Sequence, residues 1–375
     1  MKKIMVIFGT RPEAIKMAPL VKQLEADESL EPIVVVTAQH REMLDQVLEV
    51  FEIKPDYDLN LMKKNQTLST VTSGVLLGLE DIIKEVEPDM VLVHGDTTTT
   101  FAGALTAFYQ QVDVGHVEAG LRTYQKYAPY PEELNRQMTT KLADIHFAPT
   151  ELSESNLLKE CVKEDTIYVT GNTAIDALNT TVSDEYISSI IQRHEGKRVV
   201  LLTAHRRENI GAPMANIFKA IHDIVENFED VVVIYPMHRN QKVRDLANEY
   251  LTHERIELIE PLDVIDFHNF AAQSYLILTD SGGVQEEAPS LGKPVLVLRD
   301  VTERPEGVEA GTLKIVGTEK NNVFEETKLL LENQNEYERM SQANNPYGDG
   351  QASRRICEAI KHFYKIKENV PERFK

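Results

Sequence analysis

Residues 3–24 read KIMVIFGTRPEAIKMAPLVKQL, and this stretch decides the fold. Positions 3–8 are one short apolar run, as expected of a strand covered on both faces. A polar turn follows at once, Gly9-Thr10-Arg11-Pro12-Glu13. Over 14–24 the apolar residues then recur at the spacing of a helix with one buried face. Strand, turn and helix in direct succession are the opening half of a parallel βαβ unit.

The same pattern recurs outward along the chain. Short apolar runs stand at 33–37, 90–94, 113–117, 145–148 and 166–170, with helical spacing at 72–86 and 100–109. A second series begins at 198–203 and continues at 231–236, 256–260, 275–279 and 294–298. Between the two series, 172–196 reads as one helix followed by a polar linker, and a last helix is expected over 352–367. The alternation predicts α/β architecture: two doubly wound, Rossmann-like domains facing a cleft, over 1–170 and 171–354. A length of 375 residues is consistent with two or three domains.

Composition narrows the function. Sixty acidic residues against 40 basic ones give a formal charge of −20, and Lys and Arg form no long run, so nucleic acid and anionic membrane are not expected partners. No stretch approaches the roughly 18 apolar residues of a membrane span, and the N-terminus lacks the apolar core of a signal peptide. A cytoplasmic protein is expected. The two cysteines, Cys161 and Cys357, supply neither a disulfide framework nor a zinc site, and both read as core residues.

In open α/β sheets ligands lie beyond the carboxyl ends of the strands. Here those ends carry Gly9–Glu13, His94-Gly95-Asp96, His116-Val117-Glu118, His205-Arg206-Arg207 and Asp280-Ser281-Gly282-Gly283. Glycines in the last of these let a phosphate approach the backbone, and a carboxylate one turn later, Glu286 or Glu287, can accept ribose hydroxyls. Arg11, Lys16, the His205–Arg207 cluster and Arg304 are placed to meet an anionic ligand. Asp96, Glu118 and Glu132 supply carboxylates for proton transfer. A rival reading groups His94, Asp96, His116 and Glu118, spaced i, i+2 on two strands, as ligands of a divalent metal. No Gly-x-Gly-x-x-Gly, Tyr-x-x-x-Lys, Gly-x-Ser-x-Gly or Walker loop is present, so no bound dinucleotide cofactor is expected.

Taken in order, GTRPEAIKMAPL, HGDTTTTFAGALTAFY, VGHVEAGLRT, PEELNRQ, VTGNTAIDAL, LLTAHRREN, DSGGVQEEAPSLGKPVLVLRDVTERPEGVEAGT and NPYGDGQASRRI resemble the non-hydrolysing UDP-N-acetylglucosamine 2-epimerases of bacteria. The resemblance runs from end to end. It implies the two-domain fold of GT-B glycosyltransferases, with the last helix, about 355–375, returning to the N-terminal domain. It also implies a homodimer that needs neither cofactor nor metal and supplies cell-surface polysaccharide synthesis.

The implied reaction interconverts UDP-N-acetylglucosamine and UDP-N-acetylmannosamine through UDP and 2-acetamidoglucal. By matching motifs, Arg11, Lys16 and His205 hold the diphosphate, while Asp96, Glu118 and Glu132 form the acid/base set. Ser281, Gly282, Gly283 and Glu287 meet phosphate and ribose, with Leu262, Phe267 and Arg304 near the nucleotide. The family's activator site, which binds a second UDP-N-acetylglucosamine, maps to Gln39, the loop carrying His40, Arg41 and Glu42, then Glu133, Arg206 and His238. A departure from the family pattern at Glu42 and Asn65 implies looser regulation. Two other readings share the fold: a GT-B-type glycosyltransferase and a non-catalytic nucleotide-sugar sensor.

Overall fold

A computed structural model describes residues 1–38, 41–62 and 66–375, with the backbone alone for 41–43. Gln39, His40, Asn65 and the side chains of Arg41 and Glu42 therefore lie outside the described residues. The chain forms two units, Met1–Asn179 with Tyr347–Lys375, and Thr180–Pro346.

In the first unit the strands are β1 (Lys2–Phe8), β2 (Leu30–Val36), β3 (Tyr57–Asp58) and β4 (Met90–His94), then β5 (Asp113–Val117), β6 (Ile145–Ala148) and β7 (Ile167–Val169). They form a parallel sheet in the order β3-β2-β1-β4-β5-β6-β7. Successive side chains of a strand face opposite ways. Ile4, Val6 and Phe8 accordingly enter a core with Met17, Leu20 and Leu24 of helix Arg11–Glu25. Met5 and Ile7 enter another with Val75, Leu79 and Ile83 of helix Leu68–Val86. A strand buried on both sides has no polar face, which is why its sequence is a continuous apolar run.

Helix Ala352–Phe363 adds Ile356, Cys357, Ala359 and Ile360 to the first of these cores. The Asp176 carboxylate caps that helix, accepting the backbone N–H groups of Ala352 at 3.1 Å and Ser353 at 2.7 Å. Cys161 departs from the core reading. It is exposed, at φ +62°, in the left-handed turn that ends helix Glu151–Lys159.

The second unit holds β8 (Arg198–Thr203), β9 (Val231–Pro236), β10 (Ile256–Ile259), β11 (Leu276–Thr279), β12 (Val295–Val297) and β13 (Leu313–Ile315). These too are parallel, ordered β10-β9-β8-β11-β12-β13. Val200 and Leu202 pack under Ile217, Phe218 and Ile221 of helix Ala212–Asn227, while Val199 and Leu201 face Phe270 and Val284. The polar linker expected before this unit is partly helical. Ser189–Gln192 forms one turn, because Ile190 and Ile191 pack against the second of these cores.

Each sheet reverses its winding once, between β1 and β4 in the first unit and between β8 and β11 in the second. Strand connections diverge there and leave a crevice at the carboxyl ends. Among the described residues no helix is long and apolar enough to cross a membrane.

Candidate active site

At the reversal in the first unit, Glu13 ties two turns together. Thr10 caps helix Arg11–Glu25, and Glu13 answers it in a reciprocal capping box. The buried Glu13 carboxylate accepts the N–H groups of Gly9 at 3.1 Å and Thr10 at 2.8 Å, and the Thr10 hydroxyl at 2.8 Å. From the turn after β4 it also accepts the hydroxyls of Thr97 at 2.6 Å and Thr100 at 3.2 Å. Burial raises its pKa against those hydrogen bonds. Gly9 admits no side chain, since a Cβ there would stand 2.0 Å from Thr37 Oγ1.

Three of the sequence-selected carboxylates gather beside this brace. Glu118 sits at φ +61°, a conformation that costs a residue with a Cβ. It pairs with Lys16 and accepts the Asn172 amide at 3.0 Å, and His94 Nε2 lies 3.7 Å away. Asp96 binds Arg136 Nη2 at 2.6 Å. Its side chain keeps 25% of its surface exposed. Dense packing around the carboxyl still raises its pKa, opposed by Arg136 and reinforced by the charges of Glu118 and Glu132. A carboxylate held above its ordinary value among other carboxylates is suited to carry a proton. Glu132 opens helix Glu132–Leu142, and Arg11 opens the helix after β1.

The histidines beside them are neutral core groups. Burial lowers His94 to about 4 and His116 to about 3. His116 Nε2 is spent on the Gly95 carbonyl at 2.7 Å, so it does not turn toward Asp96 or Glu118. Among the described residues no group of three or more His, Cys, Asp or Glu stands where it could hold a metal, and the four-ligand reading does not assemble.

Glu133 also points inward. Its carboxylate accepts the N–H groups of Thr123 at 3.0 Å and Tyr124 at 2.9 Å, and the Gln137 amide at 2.7 Å. Burial pushes its pKa up, but these bonds and the Arg136 charge outweigh it and hold the group below its ordinary value. Its bonds to Thr123 and Tyr124 brace the loop before helix Glu132–Leu142.

The reversal in the second unit gathers a further set. His205, 41% exposed by side chain, stacks on His238 with ring centres 5.4 Å apart and planes at 10°. Asp280, fully buried, accepts the backbone N–H groups of His205 and Arg206. Ser281 precedes helix Gly282–Glu287. The Arg304 guanidinium lies over Gly282, where a Cβ would be 2.7 Å from Nη1, and pairs with buried Glu286 at 2.7 Å. Glu303 is held at about 2 because Arg304 and Arg299 overcome its burial. Glu287 lies 3.4 Å from His268 Nε2, and Thr181 meets the other nitrogen of that ring at 2.7 Å. Leu262 and Phe267 pack partly buried against the core holding Val199 and Leu201.

Sequence reading assigned no role to Glu13, Arg136, Asn172, Asp280 or His268, each of which has at least one partner far along the chain. The one available signal was polarity at strand ends, which Glu13 and Asp280 share with the residues that were selected.

Two Rossmann-like units, each with polar side chains at its topological reversal, define a GT-B-type nucleotide-sugar fold. The family model for UDP-N-acetylglucosamine 2-epimerase matches residues 22–361. The UDP-N-acetylglucosamine 2-epimerase of Bacillus subtilis is 62% identical over 373 residues, covering 99% of this chain and 98% of that one. The UDP co-structure of S. aureus MnaA superposes with a TM-score of 0.91 at 61% identity, covering 100% of both chains. The Neisseria meningitidis UDP-GlcNAc 2-epimerase bound to UDP-GlcNAc gives 0.87 at 50% identity, covering 96% of this chain and 99% of that one. The chain belongs to the UDP-N-acetylglucosamine 2-epimerase family, and is an isomerase.

Proposed function

We propose that the chain interconverts UDP-N-acetylglucosamine and UDP-N-acetylmannosamine without net hydrolysis, by eliminating UDP and adding it back. A carboxylate takes the C2 proton, the C1–O bond breaks with its electron pair leaving on UDP, and C1=C2 forms 2-acetamidoglucal. UDP then returns to C1 while C2 is protonated on the opposite face. The observation that carries this reading is the gathering of Asp96, Glu118 and Lys16 at one sheet reversal, with Asp96 biased toward its protonated form.

Arg11, Lys16 and His205 would stabilise the departing diphosphate. Lys16 pairs with Glu118, so a diphosphate would compete for that cation and loosen its hold on the carboxylate. Glu132 completes the acid/base set. Ser281, Gly282, Gly283 and Glu287 would take phosphate and ribose, with Leu262, Phe267 and Arg304 beside the nucleotide. The product would serve cell-surface polysaccharide synthesis in the cytoplasm.

The deciding experiment incubates purified protein with UDP-N-acetylglucosamine in heavy water, without acceptor, NAD or metal. Deuterium at C2 together with the C2 epimer is the expected result. Unchanged substrate would favour the transferase or sensor.

A homodimer and activation by substrate complete the reading. Leu77 at 69%, Phe108 at 56% and Tyr109 at 63% exposure stand on two helices that pack together, and a second copy is the occupant proposed for these exposed apolar side chains. The activator would meet Glu133, Arg206 and His238, with Gln39 and the Glu42 side chain outside the described residues.

A further inference from the structure

The sheet order of the second unit puts the end of β8 beside the end of β11, where Thr203 pairs with Thr279. Their hydroxyls bond at 2.6 Å, and Tyr235 donates to the Ala204 carbonyl at 2.6 Å, so the backbone leading to His205 is held on two sides. Asp280 is fully buried in the next layer. Its two oxygens are used unequally. Oδ2 accepts the N–H of His205 at 2.9 Å, the N–H of Arg206 at 2.9 Å and the Asn209 amide at 3.1 Å. Oδ1 shares the His205 N–H at 3.1 Å and otherwise faces the His205 ring, 3.4 Å from Nδ1.

We infer that Asp280 is the positioning residue of His205, keeping a proton on Nδ1 so that Nε2 is the only ring nitrogen that gains or loses one. At 3.4 Å the contact is an ion-pair approach rather than a formed hydrogen bond, but a carboxylate is an acceptor alone, so it favours a proton on the ring nitrogen nearest it. The other groups against the ring are His238, stacked on its face, and Arg206, whose Nε donates to the Asp280 carbonyl at 3.1 Å. Neither competes for Nδ1. The proton that His205 exchanges with a departing or returning diphosphate therefore always sits on Nε2. This rests on the proposal that His205 meets the diphosphate.

Asp280→Asn isolates the effect. The three donors at Oδ2 require the amide oxygen there, which turns the amide NH2 toward His205 Nδ1. Nδ1 must then accept, and the neutral ring carries its proton on Nε2, the reversal expected when an amide replaces a carboxylate behind a histidine. Ring nitrogen shifts, assigned by difference from His205→Asn, should report Nδ1–H in the unaltered protein and Nε2–H in Asp280→Asn. kcat should fall by at least about a hundredfold, while UDP affinity stays within about threefold because Nε2–H still donates.

A neutral ring protonated at Nε2 in the unaltered protein overturns the inference, whether or not the variant folds. So does Asp280→Asn that keeps Nδ1–H, or that switches the proton without loss of kcat while His205→Asn is inactive. Full turnover in His205→Asn instead removes the reading of His205 on which the inference rests.

Discussion

The Thr97 hydroxyl donates a 2.6 Å hydrogen bond to the Glu13 carboxylate, joining the turn after β1 to the turn after β4 across 84 residues. Arg11 opens the helix after the first turn and Asp96 lies within the second, so one buried carboxylate joins the turns that carry a cation and an acid.

Glu13→Ala leaves two backbone N–H groups and several hydroxyls without their acceptor. Leaving a buried donor without its acceptor costs about 1–3 kcal/mol, and the hydroxyls can turn to other acceptors. Unfolding free energy by denaturant titration should fall by about 3 kcal/mol. A loss below about 0.5 kcal/mol would show that the brace carries no stability.

Asp96→Asn should lower turnover by at least about a hundredfold and yet raise thermal stability at pH 8. Folding raises the Asp96 pKa above 3.8, so the folded state binds this proton more tightly than the unfolded chain. Stability then declines as pH rises from the unfolded value through the folded one. A neutral amide escapes that decline. The gain should shrink as pH falls toward 4, and a melting temperature unchanged or lowered at pH 8 would contradict the sign.

Gly282→Ala brings a methyl to within 2.7 Å of Arg304 Nη1, so the guanidinium must shift away from Gly282 and its pair with Glu286 must adjust. If Arg304 lies beside the bound nucleotide, its displacement should weaken UDP affinity by calorimetry about tenfold or more, about 1.4 kcal/mol. Undiminished affinity would remove Gly282 and Arg304 from the nucleotide site.

Reverse turnover from UDP-N-acetylmannosamine alone should begin with a lag that trace UDP-N-acetylglucosamine abolishes, because an activator can only shift states that it binds unequally. Arg206→Ala should lengthen the lag more than it weakens catalytic-site binding. Immediate full-rate turnover with hyperbolic forward kinetics would mean that no second site operates.

The expected strands at 90–94, 113–117, 145–148, 198–203 and 231–236 coincide with β4, β5, β6, β8 and β9. Each is long enough, and apolar enough on both faces, to declare itself locally. β3 and β13 escaped because Tyr57-Asp58 and Leu313-Lys314-Ile315 are too short and too polar to form an apolar run. Glu133, matched to the activator site by motif alone, is buried. Its place in the first turn of a helix is visible in sequence, whereas the loop that folds over it is not.

The amino-acid sequence by itself determined where strands and helices lie, that the sheets are parallel, and which polar residues end each strand. Periodicity, capping and turn chemistry act over a few residues, so they can be read without the fold. Only the tertiary structure decided that β1 lies beside β4 and β8 beside β11. Those pairings bring Glu13 to Thr97, Glu118 to Lys16 and Asn172, and Asp280 to His205 from 75 residues away. Strand order is set by how helices cover both faces of a sheet and bury its core, a property of the whole unit that no local pattern encodes.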